Sequence, residues 1–175
     1  MLQRPIEEGC NMPRFGLADA IDARLLLALK GAPRATALAL AEHTGLSRNT
    51  VQARIAKLEQ SATLYSFERR VNPAALGYPI HAFVFTNVRQ RRLDSVADAL
   101  SEVPEVVEVH GLSGVADLLI HVVARNVEDL YRVAGDILAI RGVKRTTTGL
   151  VMRDMVPYRV TPLIEALAAD RQDEP

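Results

Sequence analysis

Residues 46–58, LSRNTVQARIAKL, constrain this chain more than any other stretch, because they read as the second helix of a helix-turn-helix. Ser47 offers an N-cap hydroxyl directly after the turn residues Thr44, Gly45 and Leu46. Beyond it Leu46, Val51, Ile55 and Leu58 recur at helical spacing and predict one buried line. With Val51 as origin and about 100° per residue, Asn49, Gln52, Ala53, Ala56 and Lys57 point the other way. That outward face is small and polar in the middle and is flanked by Arg48, Arg54 and Lys57. Asn and Gln side chains match adenine edges in a major groove, while arginine and lysine hold phosphates. Taken alone, the same helix would also suit the solvated side of any small bundle.

The upstream residues favour the first reading. A periodic run from Asp22 to Lys30 places Ile21, Leu25, Leu26 and Leu29 on one face, and Pro33 closes it. Another helix follows, capped by Thr36, carrying Ala37, Leu38, Leu40 and Ala41, and ending near Gly45. Three short helices with a Gly-containing turn between the last two fit a helix-turn-helix. After Leu58 the runs Thr63–Phe67 and Glu68–Val71 predict a small β-wing, from which Arg69 and Arg70 would reach backbone phosphates.

The overall charge is zero, with 21 basic and 21 acidic residues, which is unusual for a chain that binds nucleic acid. Dividing the chain at Leu76-Gly77 resolves the conflict. Residues 1–76 hold 10 Lys/Arg against 7 Asp/Glu, whereas residues 77–175 hold 11 against 14. So modest a positive charge binds phosphates weakly in one copy, so two or more copies per assembly are expected. The single cysteine, Cys10, excludes an intrachain disulfide and a CxxC metal site. No apolar run approaches the roughly 18 residues of a membrane span, so no membrane partner is expected and the location is expected to be cytoplasmic.

From Pro79 the pattern changes to strands alternating with helices. Residues 81–88 alternate, with Ala82, Val84, Thr86 and Val88 on one face and His81, Phe83, Phe85 and Asn87 on the other. A helix with Leu93, Val96, Ala97 and Leu100 follows and stops at Val103-Pro104. Residues 105–110 and 117–124 are β-rich and joined through Gly111, Leu112, Ser113 and Gly114, which predicts a hairpin. Asn126 caps a helix with an apolar stripe of Val127, Leu130, Tyr131, Ala134, Ile137 and Leu138, and a last strand covers 143–152. The order β-α-β-β-α-β is ferredoxin-like, so the fold class is α+β: a winged helix-turn-helix followed by an α/β sandwich. The helices cover one sheet face, and the other is a candidate dimer surface.

Taken together, the LSRNTVQARIAKLE helix, Asn72-Pro73 after the wing and the GLSGVADLL hairpin resemble the Lrp/AsnC family, the feast/famine transcriptional regulators. The resemblance covers roughly residues 20–155. Residues 1–17, with two prolines, two glycines and no clear periodicity, are expected to be a flexible extension; the rest divides into a DNA-binding domain with wing and linker (18–76), a ligand-sensing and oligomerising domain (77–156) and a tail (157–175). The resemblance implies sequence-specific binding of double-stranded DNA, homodimers paired across the sheet faces that assemble into tetramers or octamers, and regulation by an amino acid or related metabolite bound between protomers. The DNA-contacting set is Ser47, Arg48, Asn49, Gln52, Arg54, Lys57 and Arg69. Gly114 and Asp117 match the family's Gly-x-x-Asp hairpin motif; with Gly111, Thr146 and Thr148 they make the implied effector set. Glycines there permit close backbone approach, and a carboxylate pairs with an ammonium.

The sequence departs from the family at Val115-Ala116, where an aromatic or polar residue is common, and at Ser61-Ala62-Thr63-Leu64, which lacks the usual glycine after the recognition helix. The architecture also has enzymatic relatives, the sirohaem decarboxylases. His43, His81, His110 and His121 are the only histidines available for such work. None forms a helical metal-ligand pair, and the sequence has no phosphate loop or nucleophile elbow. No catalytic residue, metal or cofactor is therefore expected. A sensor that has lost DNA binding fits poorly with the basic flanks of the recognition helix.

Overall fold

A computed structural model describes residues 18–65 and 67–169, so the flexible extension expected over 1–17 lies outside the described residues. The described residues divide into two compact units, one of residues 18–65 and 67 with 158–169 and one of residues 68–157.

The first unit opens with α1 (Ala20–Gly31), which begins two residues before the expected Asp22. The Asp19 carboxylate accepts the Ile21 and Asp22 N–H groups at 2.8 and 2.9 Å, and Asp22 Oδ2 accepts the Asp19 N–H at 3.1 Å. This reciprocal cap satisfies donors that the first helical turn leaves open. In α2 (Ala37–Thr44) the Thr36 hydroxyl accepts from the Ala39 N–H at 3.2 Å, and Gly45 ends the helix at φ +71°. The turn then delivers α3 (Arg48–Gln60), whose first turn is capped by the Ser47 hydroxyl on the Thr50 N–H at 3.1 Å. Leu25, Ala28, Leu40, Ala41 and Val51 form the core of this unit, with Leu46 and Ile55 packed against it. The C-terminal α6 (Thr161–Ala169) packs on α1 in the same unit.

The β-wing expected over 63–71 is corrected: no strand forms there among the described residues. The N–H groups of Thr63 and Leu64 both turn back to the Leu58 carbonyl, at 3.0 and 3.1 Å. These groups close the helix end and are not available to a β-ladder. Ala62 sits in that closure at φ +54°, the left-handed position that the absent glycine would occupy. A 3-10 turn over Phe67–Arg70 follows, and a second, Pro73–Leu76, is capped by Asn72 on the Ala74 N–H at 3.0 Å.

The second unit carries a four-stranded antiparallel sheet made of β1 (Ile80–Val88), β2 (Val106–Gly111), β3 (Leu118–Ala124) and β4 (Val143–Leu150), in the order β2-β3-β1-β4. With α4 (Leu93–Ser101) and α5 (Val127–Ala139) this is the ferredoxin-like arrangement. Val84 and Thr86 face the helices, in register with Ile120 and Leu118 on one side and with Thr148 and Thr146 on the other. Val96, Leu100, Val133 and Ile137 seal that layer completely. The stripe expected on α5 is rotated: Leu130, Val133 and Ile137 are buried, while Val127, Tyr131 and Leu138 are exposed. The buried set recurs at i, i+3 and i+7 and the exposed set at i, i+4 and i+11, both helical spacings, so periodicity alone does not decide between them.

Candidate functional site

Two groups of residues stand out, one in each unit. On α3 the residues assigned to the outward face, Asn49, Gln52, Ala53, Ala56 and Lys57, are all exposed, and Arg48 is exposed beside them. Val51 and Leu58 on the opposite side are sealed at 0% and 2% accessibility. Ser47 serves as the helix cap, and its hydroxyl also lies 2.8 Å from that of Thr50. The exposed face thus offers amide donors and acceptors at Asn49 and Gln52 between cations at Arg48 and Lys57.

Two cations of the expected set are engaged within the protein. Arg54 Nη1 reaches Asp19 Oδ2 at 2.5 Å and Asp22 Oδ1 at 2.9 Å, binding the cap of α1 to the middle of α3. Asp22's side chain is 1% exposed, so it depends on that guanidinium. Burial alone pushes the Asp19 carboxyl up; the Arg54 hydrogen bond, the Asp22 and Ile21 N–H groups and the Arg54 charge outweigh it, and Asp19 titrates below the usual carboxylate range. Arg69 meets the Glu108 carboxylate, which also lies 3.2 Å from His110 Nε2. The sequence reading missed Asp19. The Asp-x-x-Asp spacing at a helix start is the signal that marks it.

The second group surrounds the β2–β3 hairpin. Asp117 Oδ2 accepts the Val88 N–H at 2.8 Å, where the β1–β4 register shifts, and the Asp117 N–H donates to the Thr86 carbonyl at 3.1 Å. Asn87 Nδ2 donates to the Val115 carbonyl at 2.9 Å, a contact the sequence reading did not anticipate. Gly114 at φ +136° lets the loop fold over in a conformation that L side chains rarely adopt. Gly111 and Gly114 are exposed, and Val115 projects fully into solvent at 99%. Thr146 and Thr148 are not brought to this loop. They lie on the edge strand β4, across β1 from the hairpin, with Thr146 half-buried and Thr148 exposed. Within one copy the glycine-aspartate loop and the threonine pair are thus two separate patches.

Among the described residues no group of three or more His, Cys, Asp or Glu side chains is placed to hold a metal ion, and no helix is long and apolar enough to cross a membrane.

The profile of the AsnC-type helix-turn-helix domain matches residues 19–59, and that of the Lrp/AsnC ligand binding domain matches residues 81–161. The HTH-type transcriptional regulator FL11 of Pyrococcus furiosus is 32% identical over 138 residues, covering 79% of this chain and 91% of its own. The structure of Escherichia coli AsnC superposes with a TM-score of 0.73 at 26% identity, covering 84% of this chain and all of that one. A Neisseria meningitidis transcriptional regulator solved as an L-Met complex has the same fold, with a TM-score of 0.69 at 21% identity, covering 80% of this chain and 93% of its own.

Proposed function

The chain belongs to the Lrp/AsnC family of transcriptional regulators, and from that premise we propose that it reads a specific DNA site through the outward face of α3 and adjusts that binding to a small amino-acid-like effector. It is a helix-turn-helix regulator with a ligand-binding domain, not an enzyme. In this reading residues 18–76 engage DNA in the cytoplasm, and residues 77–156 associate with further copies and sense the effector. Arg48, Asn49 and Gln52 read base edges, Lys57 grips phosphates, and Ser47 anchors the helix start. Arg54 is held by Asp19 and Asp22, and Arg69 by Glu108, within the protein.

One observation carries this reading: a sealed apolar side and an open amide-and-cation side on the same helix, delivered by a glycine turn. The small positive charge of this half supports binding by two or more copies, whose contacts add on a pseudo-palindromic site. Copies paired through the open sheet face would cover Phe85, which is 44% exposed there. Larger rings of dimers would let the glycine-aspartate loop of one copy meet the threonines of another around one effector, with Asp117 facing the ammonium. The L-Met complex of the Neisseria regulator supports an amino acid as the class of ligand.

Gel-shift titration against a site selected from random duplexes tests the DNA assignment. Gln52→Ala should cost about 1–3 kcal/mol on that site and relax its preference. Lys57→Ala should weaken all duplexes alike and reduce the slope of log K against log salt by about 0.9. A uniform loss from Gln52→Ala would remove the groove assignment.

A further inference from the structure

The open sheet face, turned away from α4 and α5, contains a histidine pair that DNA reading does not use. His81 on β1 and His121 on β3 belong to the two inner strands, and His81 Nδ1 lies 3.2 Å from His121 Nε2. His121 is further stacked on Phe83, with ring centroids 4.9 Å apart. Both histidines are half-buried in a single copy.

We propose that this histidine pair makes face-to-face association of two copies pH-dependent: neutral rings are sealed between the sheets at neutral pH, and protonation separates the copies in mild acid. The inference rests on the reading above that copies pair through this face. A hydrogen bond between two imidazoles requires one ring nitrogen to keep its lone pair. Full protonation of the pair therefore breaks the bond and sets two positive charges side by side. Sealing the face against a second sheet would also remove the water that stabilises an imidazolium.

The surrounding charges do not offset this. On β2 the Glu108 carboxylate is already shared by Arg69, from the 3-10 turn, and by His110. On β4 Arg145, in register with Asn87, adds positive charge to the same face. Within one copy His121 already titrates below an ordinary histidine. Burial lowers it most, the His81 and His110 charges lower it further, and Glu108 only partly opposes them. The direction is that of a face favouring neutral imidazole before any partner arrives.

The sign of the effect follows from linkage. Separated copies bind more protons than paired ones, so the dissociation constant rises as pH falls through the titration of the separated copies, which for His121 lies below the ordinary histidine range. Each proton taken up contributes up to about tenfold per pH unit. A dimer holds two such pairs, so a rise on the order of several-fold is expected between pH 7.5 and 5.5.

Sedimentation of the full chain at those two pH values and matched ionic strength, with circular dichroism to verify folding, measures it. The wild type should be dimeric at pH 7.5 and loosen at pH 5.5, as should His110→Gln, which leaves the pair intact. The double change His81→Gln with His121→Gln should flatten the response. If that variant fails to fold, His81→Gln alone should halve the slope against pH, and an unchanged slope overturns the inference. A wild-type dissociation constant equal at both pH values also overturns it while leaving the pairing intact. Phe85→Asp tests the pairing separately: it should abolish dimers at pH 7.5, and a dimer unaffected by it, or a monomeric wild type, overturns the face-to-face reading itself.

Discussion

Arg54→Ala separates two roles that a basic residue in a recognition helix can play. Arg54 faces Asp19 and Asp22 and not the solvent, so its removal should act on stability and leave the electrostatics of DNA binding largely unchanged. Removing one member of a buried pair costs about 3–5 kcal/mol. Water recovers part of this, because the Arg54 and Asp19 side chains are 23% and 33% exposed. Asp22, at 1% exposure, keeps only the Asp19 N–H, and about 2–3 kcal/mol of loss remains. For a unit of this size that corresponds to a fall of about 10–20 °C in melting temperature. Thermal melts of the full chain read the loss, and adding Asp22→Asn should return about 1 kcal/mol by removing the stranded charge. Acid sensitivity provides an independent sign. Asp19 titrates below its unfolded value of about 3.9, so its contribution is present above that pH and is lost as pH falls through the lower folded value. Arg54→Ala should shrink that loss. An Arg54→Ala protein with an unchanged melt and a salt slope shallower by about 0.9 would refute the reasoning and return Arg54 to the phosphates.

The helix end and the hairpin give two further tests. Ala62 holds a left-handed conformation that costs an L residue about 1–2 kcal/mol, against about 0.5–1 kcal/mol of extra unfolded-state freedom for glycine. Ala62→Gly should therefore stabilise the helix-turn-helix unit by about 0.5–1 kcal/mol in thermal melts, and a loss of stability would contradict the assigned geometry. Asp117→Asn retains an oxygen to accept the Val88 N–H while removing the charge. The fold should survive, and the thermal shift produced by an effector amino acid should disappear; an undiminished shift would take Asp117 out of the binding site.

Legibility in the sequence followed how local the cause was. The caps at Thr36 and Ser47, the glycine turn at Gly45 and the alternation over 81–88 each act within a few residues, and each element stands where its own residues place it. The pairing of Arg54 with Asp19 and Asp22 is not legible from residue type alone. Arg54 lies only about 60° from Val51 on the helical wheel, close to the buried side, and its partners are more than 30 residues away. No wing strand forms among the described residues although Thr63–Tyr65 has β propensity, because the Thr63 and Leu64 amides are used in closing α3. On α5 two apolar stripes were equally periodic, and only packing against the sheet chose between them. The separation of Thr146 and Thr148 from the hairpin follows from the strand order, which no local pattern records.

The central claim is that the outward side of α3 lies against DNA. The sequence contains three lysines, Lys30, Lys57 and Lys144, all of them exposed, which makes acetylation footprinting decisive. In the complex with the selected duplex, Lys57 should be protected from acetylation, while Lys144 on β4 should react as fast as in the free protein. Equal reactivity of Lys57 with and without DNA, in a sample shown to be fully bound, would contradict the account.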